Sequence, residues 1–314
     1  MVILIQKRWG NMPNWGQVLA SINESANPLD MTRRKYLKIM NKYTDRNVIA
    51  YYSAFIQNPS IAGTGIDDSD KNAFMQAVCG LDRSKGLDLI LHTPGGAIAA
   101  TESIVYYLKK LFGNDIRVFV PQIAMSAGTM IALSAKEIVL GKQSNLGPID
   151  PQYGGMSCAG IIEEFDEALS AVSKDASAAK IWGLIIQKYH PTFIGDCRKA
   201  ISWSESMVKE WLEKNMFESY SDKEEKADKV IEMLSSHAKT FSHSRHIHID
   251  ELKALGLNII ELEGLDNRKI SGCKDLQDCV LTIHHAYMQS LSQTSAIKII
   301  ENHNGGAMIM NKTN

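Results

Sequence analysis

The sequence predicts an α/β fold built on parallel strands, and three observations carry that expectation. Between Leu87 and Gly141, short apolar runs alternate with helical patterns: "LDLILHT", a helix, "IRVFV", the helix "AGTMIALSA", then "EIVLG". Strand–helix–strand order with such brief links implies parallel strands joined by right-handed crossovers. The run "LDLILHT" is apolar almost without interruption, as expected of a strand covered on both faces of its sheet. Finally, residues 160–240 turn mostly helical, through "IIEEFDEALSAV", "IWGLIIQKY", "ESMVKEWLEKNMF" and "KADKVIEMLSSH", which adds helices to the sheet.

Taken in order, residues 1–29 are mixed and rich in Asn, Gly and Pro, an irregular stretch or short arm. "MTRRKYLKIMNKY" places Tyr36, Ile39, Met40 and Tyr43 on one helical face, and its basic run reads as the solvated side. "NVIAYYSAFI" has the branched and aromatic content of a strand. "DDSDKNAFMQAVCG" reads as a short helix capped by Ser69 or Asp70 and stopped near Gly80. After the turn "PGG", a helix presents Thr101, Ile104, Val105, Leu108, Leu111 and Phe112 on one face. The unit "IDELKALGLNIIEL" has Gly256 where a helix ends and Ile259 to Leu262 as its strand. From Leu276 to about Ile300 the pattern predicts another amphipathic helix.

The bulk numbers exclude several classes. The chain has 314 residues, 45% apolar and 22% charged, with 34 basic and 35 acidic side chains for a net charge of −1. That balance lacks the basic excess of a nucleic-acid partner. Five scattered cysteines read as reduced thiols of a cytoplasmic protein rather than a disulfide framework. The apolar start, Val2 to Ile5, is too short for a secretory segment. No window reaches about 18 uninterrupted apolar residues, so a soluble protein is expected.

Two turns carry the chemistry. In "HTPGG", Pro94 sets the turn and Gly95–Gly96 leave N–H groups unshielded, a nest for an oxyanion. In "AMSAGT", Ser126 falls at the start of the helix that follows "IRVFV", where unpaired N–H groups favour developing negative charge. Ala127 and Gly128 leave room for a substrate. Ser126 can equally be an N-cap, or a small residue in a buried helix. The pairing of two βα units, each with a donor-rich turn at the carboxyl end of its strand, favours a ligand site at that edge.

These residues resemble a known family. "LDLILHTPGG…ATESIVYYL…VFVPQIAMSAGTMIALSAKEIVLGKQSNLGPIDPQ" is similar to the serine dehydrogenase proteinases, soluble relatives of signal peptide peptidase A and of the Clp protease proteolytic subunit in the crotonase-like superfamily. The resemblance is dense from about Arg34 to Gln152 and continues more thinly through "SHSRHIHIDELKALGLNI". It implies a crotonase/Clp protease-like spiral of ββα units with additional helices, assembled as a homo-oligomeric trimer or hexamer. It implies a peptidase core over 46–265, with a helical insertion at about 160–240, after an arm and helix at 1–45 and before a helical tail at 266–314. By the same resemblance, Ser126 is the nucleophile of a cytoplasmic serine peptidase acting on a protein or peptide, Gly96 and Ala127 supply oxyanion-hole N–H groups, and no cofactor or metal is needed.

The base is where the chain departs from the family. A serine hydroxyl needs a positioned proton acceptor. Clp-type peptidases carry a histidine in the segment that here holds Asp150. Their aspartate matches the region of His243 and His246. The two roles are therefore expected to be exchanged, with Asp150 orienting His243 and His246 as the alternative. The signal peptide peptidase A branch uses a Ser-Lys dyad, for which Lys174, and further on Lys180, are candidates; lysine serves as a base only if desolvated. His92, ahead of the Pro-Gly-Gly turn, reads mainly as structural. The histidines of "HSRHIH" and "IHH" lack the accompanying pattern of a zinc site. Trp182, Trp203 and Trp211 read as core or interface. Two alternatives to the peptidase remain: a scaffold with the fold but no base, and a crotonase-type acyl-CoA enzyme, for which Glu102 is the nearest glutamate.

Overall fold

A computed structural model describes residues 28–265, 268 and 272–312; the expected arm lies almost entirely outside them. The elements are α1 (Pro28–Thr44), β1 (Asn47–Ser53), α2 (Asp68–Ala77), β2 (Leu87–His92), α3 (Ile98–Phe112), β3 (Ile116–Val120), β4 (Ile123–Ala124), α4 (Ala127–Leu133), β5 (Glu137–Leu140) and β6 (Asn145–Leu146). A hairpin, β7 (Gln152–Tyr153) and β8 (Met156–Ser157), leads into α5 (Cys158–Lys174), α6 (Ala179–Ile186), α7 (Phe193–Trp211), α8 (Lys223–Ser235) and α9 (His237–Thr240). The chain closes with α10 (Ile249–Ala254), β9 (Ile259–Glu261), α11 (Leu276–Gln293), β10 (Ala296–Asn302) and β11 (Ala307–Asn311).

Seven strands form the main sheet in the order β11-β10-β1-β2-β3-β5-β9. From β1 to β9 neighbours run parallel, while β10 and β11 add antiparallel at one edge. Strand alternation explains the unbroken apolar runs. Ile49, Tyr51, Leu89, Leu91, Val118 and Val120 face one core, with α3 and α4. Val48, Ala50, Tyr52, Ile90 and Phe119 face a second core under α1 and α11. Burial on both faces leaves no solvated position in β1 or β2. The exception in β2 is Asp88, fully buried at the strand's start and bonded by Arg46 Nε at 2.7 Å and by Arg117 Nε and Nη2, each at 2.8 Å.

Two expectations are corrected. The helix from Leu276 ends at Gln293 rather than near Ile300, and residues 266–314 are not a helical tail alone. The polar stretch Ser292–Ser295 breaks the helix, and the isoleucine-rich run that follows extends beside β1 as β10. The cap of α2 is Asp67, not Ser69 or Asp70; its side chain accepts from Ser69 N, and Asp70 closes a capping box. Among the described residues, no helix is long and apolar enough to cross a membrane.

Candidate active site

The Ser126 turn is assembled by a small second layer. β4 pairs in parallel with β6, and Leu146 of β6 forms an antiparallel bridge with Ile247. Ala124, Leu146 and Ile247 therefore stand in one row. Ser126 lies two residues beyond that row and Asp150 four. Because 146 opposes 247, the antiparallel register carries Asp150 opposite His243. The contact is made: His243 Nδ1 lies 2.7 Å from Asp150 Oδ1, and Gln152 Nε2 donates to Asp150 Oδ2 at 3.2 Å.

An ionised carboxylate only accepts, so the proton between them sits on Nδ1, and the neutral imidazole keeps its lone pair on Nε2. Asp150 is 1% exposed and His243 25%, so the carboxylate is sealed while the ring reaches the surface.

Ser126 has φ 52° and ψ −118°, a conformation that costs a non-glycine residue about 1–3 kcal/mol and persists only where its surroundings impose it. They do. Met125 N donates to Thr93 O at 3.0 Å and Gly128 N to Met125 O at 2.7 Å. Thr129 Oγ1 donates to Ala124 O and accepts from Gly147 N, both at 2.9 Å. Ser126 occupies the N-cap position of α4 but makes no side-chain capping bond, so the capping role open in the sequence is not the one it plays. Among the described residues its hydroxyl has no hydrogen-bond partner, His243 included. The small residues around it are dictated by contact: a Cβ on Gly128 would sit 2.5 Å from Thr93 Cγ2, and one on Gly147 would collide with the Met125 thioether.

The Pro-Gly-Gly turn packs directly on this elbow. Ile66 bridges Gly96 in parallel, through Ile66 N to Gly95 O at 2.7 Å and Ala97 N to Ile66 O at 2.8 Å. That pattern engages the flanking residues and leaves the Gly96 N–H directed away from Ile66. Ala127 N is the first amide of α4 and has no intrahelical acceptor. The site therefore holds a serine on a strained turn, two amides free of protein acceptors among the described residues, and an aspartate-oriented histidine whose segment pairs with the same layer.

A family model for ClpP-like SDH-type serine proteinases matches residues 21–261. The chain belongs to this family. Two uncharacterized proteins of Methanocaldococcus jannaschii are each 32% identical to it over 194 residues, covering 62% of this chain and 58% and 59% of their own lengths. The chain thus spans about three-fifths of these curated relatives.

Within this ClpP-like chain the other candidate residues sit on exposed surface. His246 is exposed, and Lys174 and Lys180 are exposed at the end of α5 and on α6. Glu102 lies on the outer face of α3, lining a groove with Tyr106, Trp203 and Trp211. Trp211 packs partly on the core, whereas Trp203 is 40% exposed. Thr93, Thr129, Gly147, Gln152 and Ile66, which hold the turns, were not singled out by sequence. Thr129 sits one helical turn from Ser126, a faint signal; Ile66 offers none, because its bridge to Gly96 is non-local.

His92 packs among aromatic rings. It is fully buried behind the Pro-Gly-Gly turn, its ring centroid 4.9 Å from Phe55, 5.4 Å from Tyr52 and 5.3 Å from His284. Burial pushes His92 down to about 3. Burial, with His92 and His285 nearby, likewise holds His284 well below the usual histidine range. The unfolded chain takes up these protons below pH 6.5 and the folded chain does not, so stability present above 6.5 is lost as pH falls toward 3. The slope is up to about 1.4 kcal/mol per pH unit for each histidine. Thermal midpoints are expected to drop between pH 7 and 5, and His92→Phe to flatten that drop; equal slopes in both proteins would contradict this account.

Proposed function

We propose that the chain is a serine peptidase that hydrolyses protein or peptide substrates through an acyl-enzyme on Ser126. The observation that carries the reading is the Asp150–His243 hydrogen bond, formed in register beside the Ser126 elbow. His243 Nε2 takes the proton of Ser126 Oγ as the oxygen attacks the scissile carbonyl. The tetrahedral oxyanion receives hydrogen bonds from Gly96 N–H and Ala127 N–H, each worth roughly 3–4 kcal/mol of barrier. His243 then passes its proton to the leaving amine, which departs and leaves Ser126 acylated. Water, deprotonated by the same nitrogen, attacks the ester carbonyl and frees the serine. Asp150 stays ionised and fixes the tautomer.

The reading favours His243, held by a buried carboxylate, over the exposed Lys174 as the base. It also replaces the acyl-CoA alternative, since Glu102 lines a groove with the α3 and α7 side chains rather than the turn. The full reading includes a cytoplasmic homo-oligomer, a trimer or hexamer. The five unpaired cysteines support the reducing compartment, and exposed Leu169, Ile181 and Leu184 on α5 and α6 support burial between copies.

Ser126→Ala is expected to leave the fold intact and to cut hydrolysis of an unfolded test polypeptide by at least about 10³-fold. Equal cleavage by both proteins would overturn the assignment.

A further inference from the structure

The oxyanion turn is held from outside the family-matched part of the chain. Lys298 lies on β10, beyond residue 261, and its side chain is 1% exposed. An ammonium is buried at a cost of several kcal/mol unless it is paired. Lys298 Nζ donates to Gly65 O and to Asp67 Oδ2, both at 2.9 Å, and forms an ion pair with Asp70 Oδ1 at 2.8 Å. Asp70 is fully buried, and its second oxygen accepts from Tyr51 OH and from Asp67 N, each at 3.0 Å. Burial pushes the Asp70 carboxyl up, against the pull of Lys298.

The two residues that Lys298 grips flank Ile66, and Ile66 makes both backbone bonds to the Pro-Gly-Gly turn. The approach is close enough that a Cβ on Gly96 would run into the backbone N, O and Cα of Ile66. A shift of residues 65–67 is therefore a shift of Gly96. Upstream the segment has a further tie, Ser53 Oγ to Thr64 O at 2.6 Å, which anchors its start without reaching Ile66.

We propose that Lys298 is a positioning residue: from the C-terminal strand it clamps Gly65 and Asp67 around Ile66 and so sets the aim of the Gly96 N–H. The catalytic part of this inference rests on the reading of Gly96 as an oxyanion donor.

Lys298→Met alone strands the buried Asp70 carboxylate and risks the fold, so the informative protein is the double variant Lys298→Met/Asp70→Asn, which removes both charges and keeps a polar partner for Tyr51. Two readouts are taken on the full chain. Hydrogen exchange is expected to quicken in peptides covering 64–67 and 95–97 and to stay at the wild-type rate in β2, β3 and β5. With a fluorophosphonate, the maximal rate of Ser126 labelling is expected to fall about tenfold or more while half-saturation changes less than about threefold, the pattern of an interaction felt in the transition state. A merely structural loss would raise exchange throughout the sheet and reduce the labelled fraction without slowing the folded remainder. Unchanged exchange at both segments, or an unchanged maximal labelling rate, overturns the proposal. A wild-type protein that does not label overturns the peptidase reading and the catalytic role of Lys298 with it; the exchange arm still decides the clamp.

Discussion

Replacing His243 with alanine is expected to slow acylation of Ser126 by roughly 10²–10⁴-fold, the contribution of a positioned general base. The ring is a quarter exposed and rests on one hydrogen bond, so stability should hardly change. Asp150→Asn should come close to the same loss by a different route. An amide can donate to Nδ1, which moves the imidazole proton to Nε2 and leaves no lone pair facing the serine. A fluorogenic peptide followed at neutral pH checks both variants, with Lys174→Ala as the control expected to match wild type. Full activity in His243→Ala, or a large loss in Lys174→Ala, would return the base to the lysine branch.

The second large effect belongs to Gly95→Ala. Gly95 has φ 97°, and a Cβ there would lie 2.7 Å from Met125 O, 2.7 Å from Ser126 Cβ and 2.9 Å from Ala127 N. The obstructing atoms are mainly backbone, and they belong to the Ser126 turn and to a proposed oxyanion donor. Relief requires the two turns to separate, so we expect a stability loss of about 1–3 kcal/mol and an activity loss of roughly 10²–10³-fold per folded molecule. Gly113→Ala is the matched control: its φ is 63°, but nothing lies within 4 Å of the added Cβ, and activity per folded molecule should hold. Equal activity in the two variants would show that the Pro-Gly-Gly turn does not set the site.

What was legible in the sequence was local. The βα rhythm could be read because β2 and β3 bury alternate residues in two cores and so show no polar face. The crowd of small residues around Ser126 could be read as a site of close approach, and Gly128 against Thr93 is such an approach. The partnership of Asp150 with His243 was reachable only through family resemblance, because it depends on the 146–247 register, which no local pattern encodes. β10 reads as helix in the sequence because "AIKIIEN" is a short apolar run whose period is ambiguous alone; its pairing with β1 decides it. Within the same run Lys298 is a buried ammonium beneath the loop that holds Gly96.

The most direct measurement is the site of covalent modification. Wild-type protein treated with a fluorophosphonate, digested and mapped by mass spectrometry should carry a single adduct on Ser126, and Ser126→Ala should carry none. An adduct on another residue, or none on correctly folded wild-type protein, would contradict the account that this turn activates a nucleophilic serine.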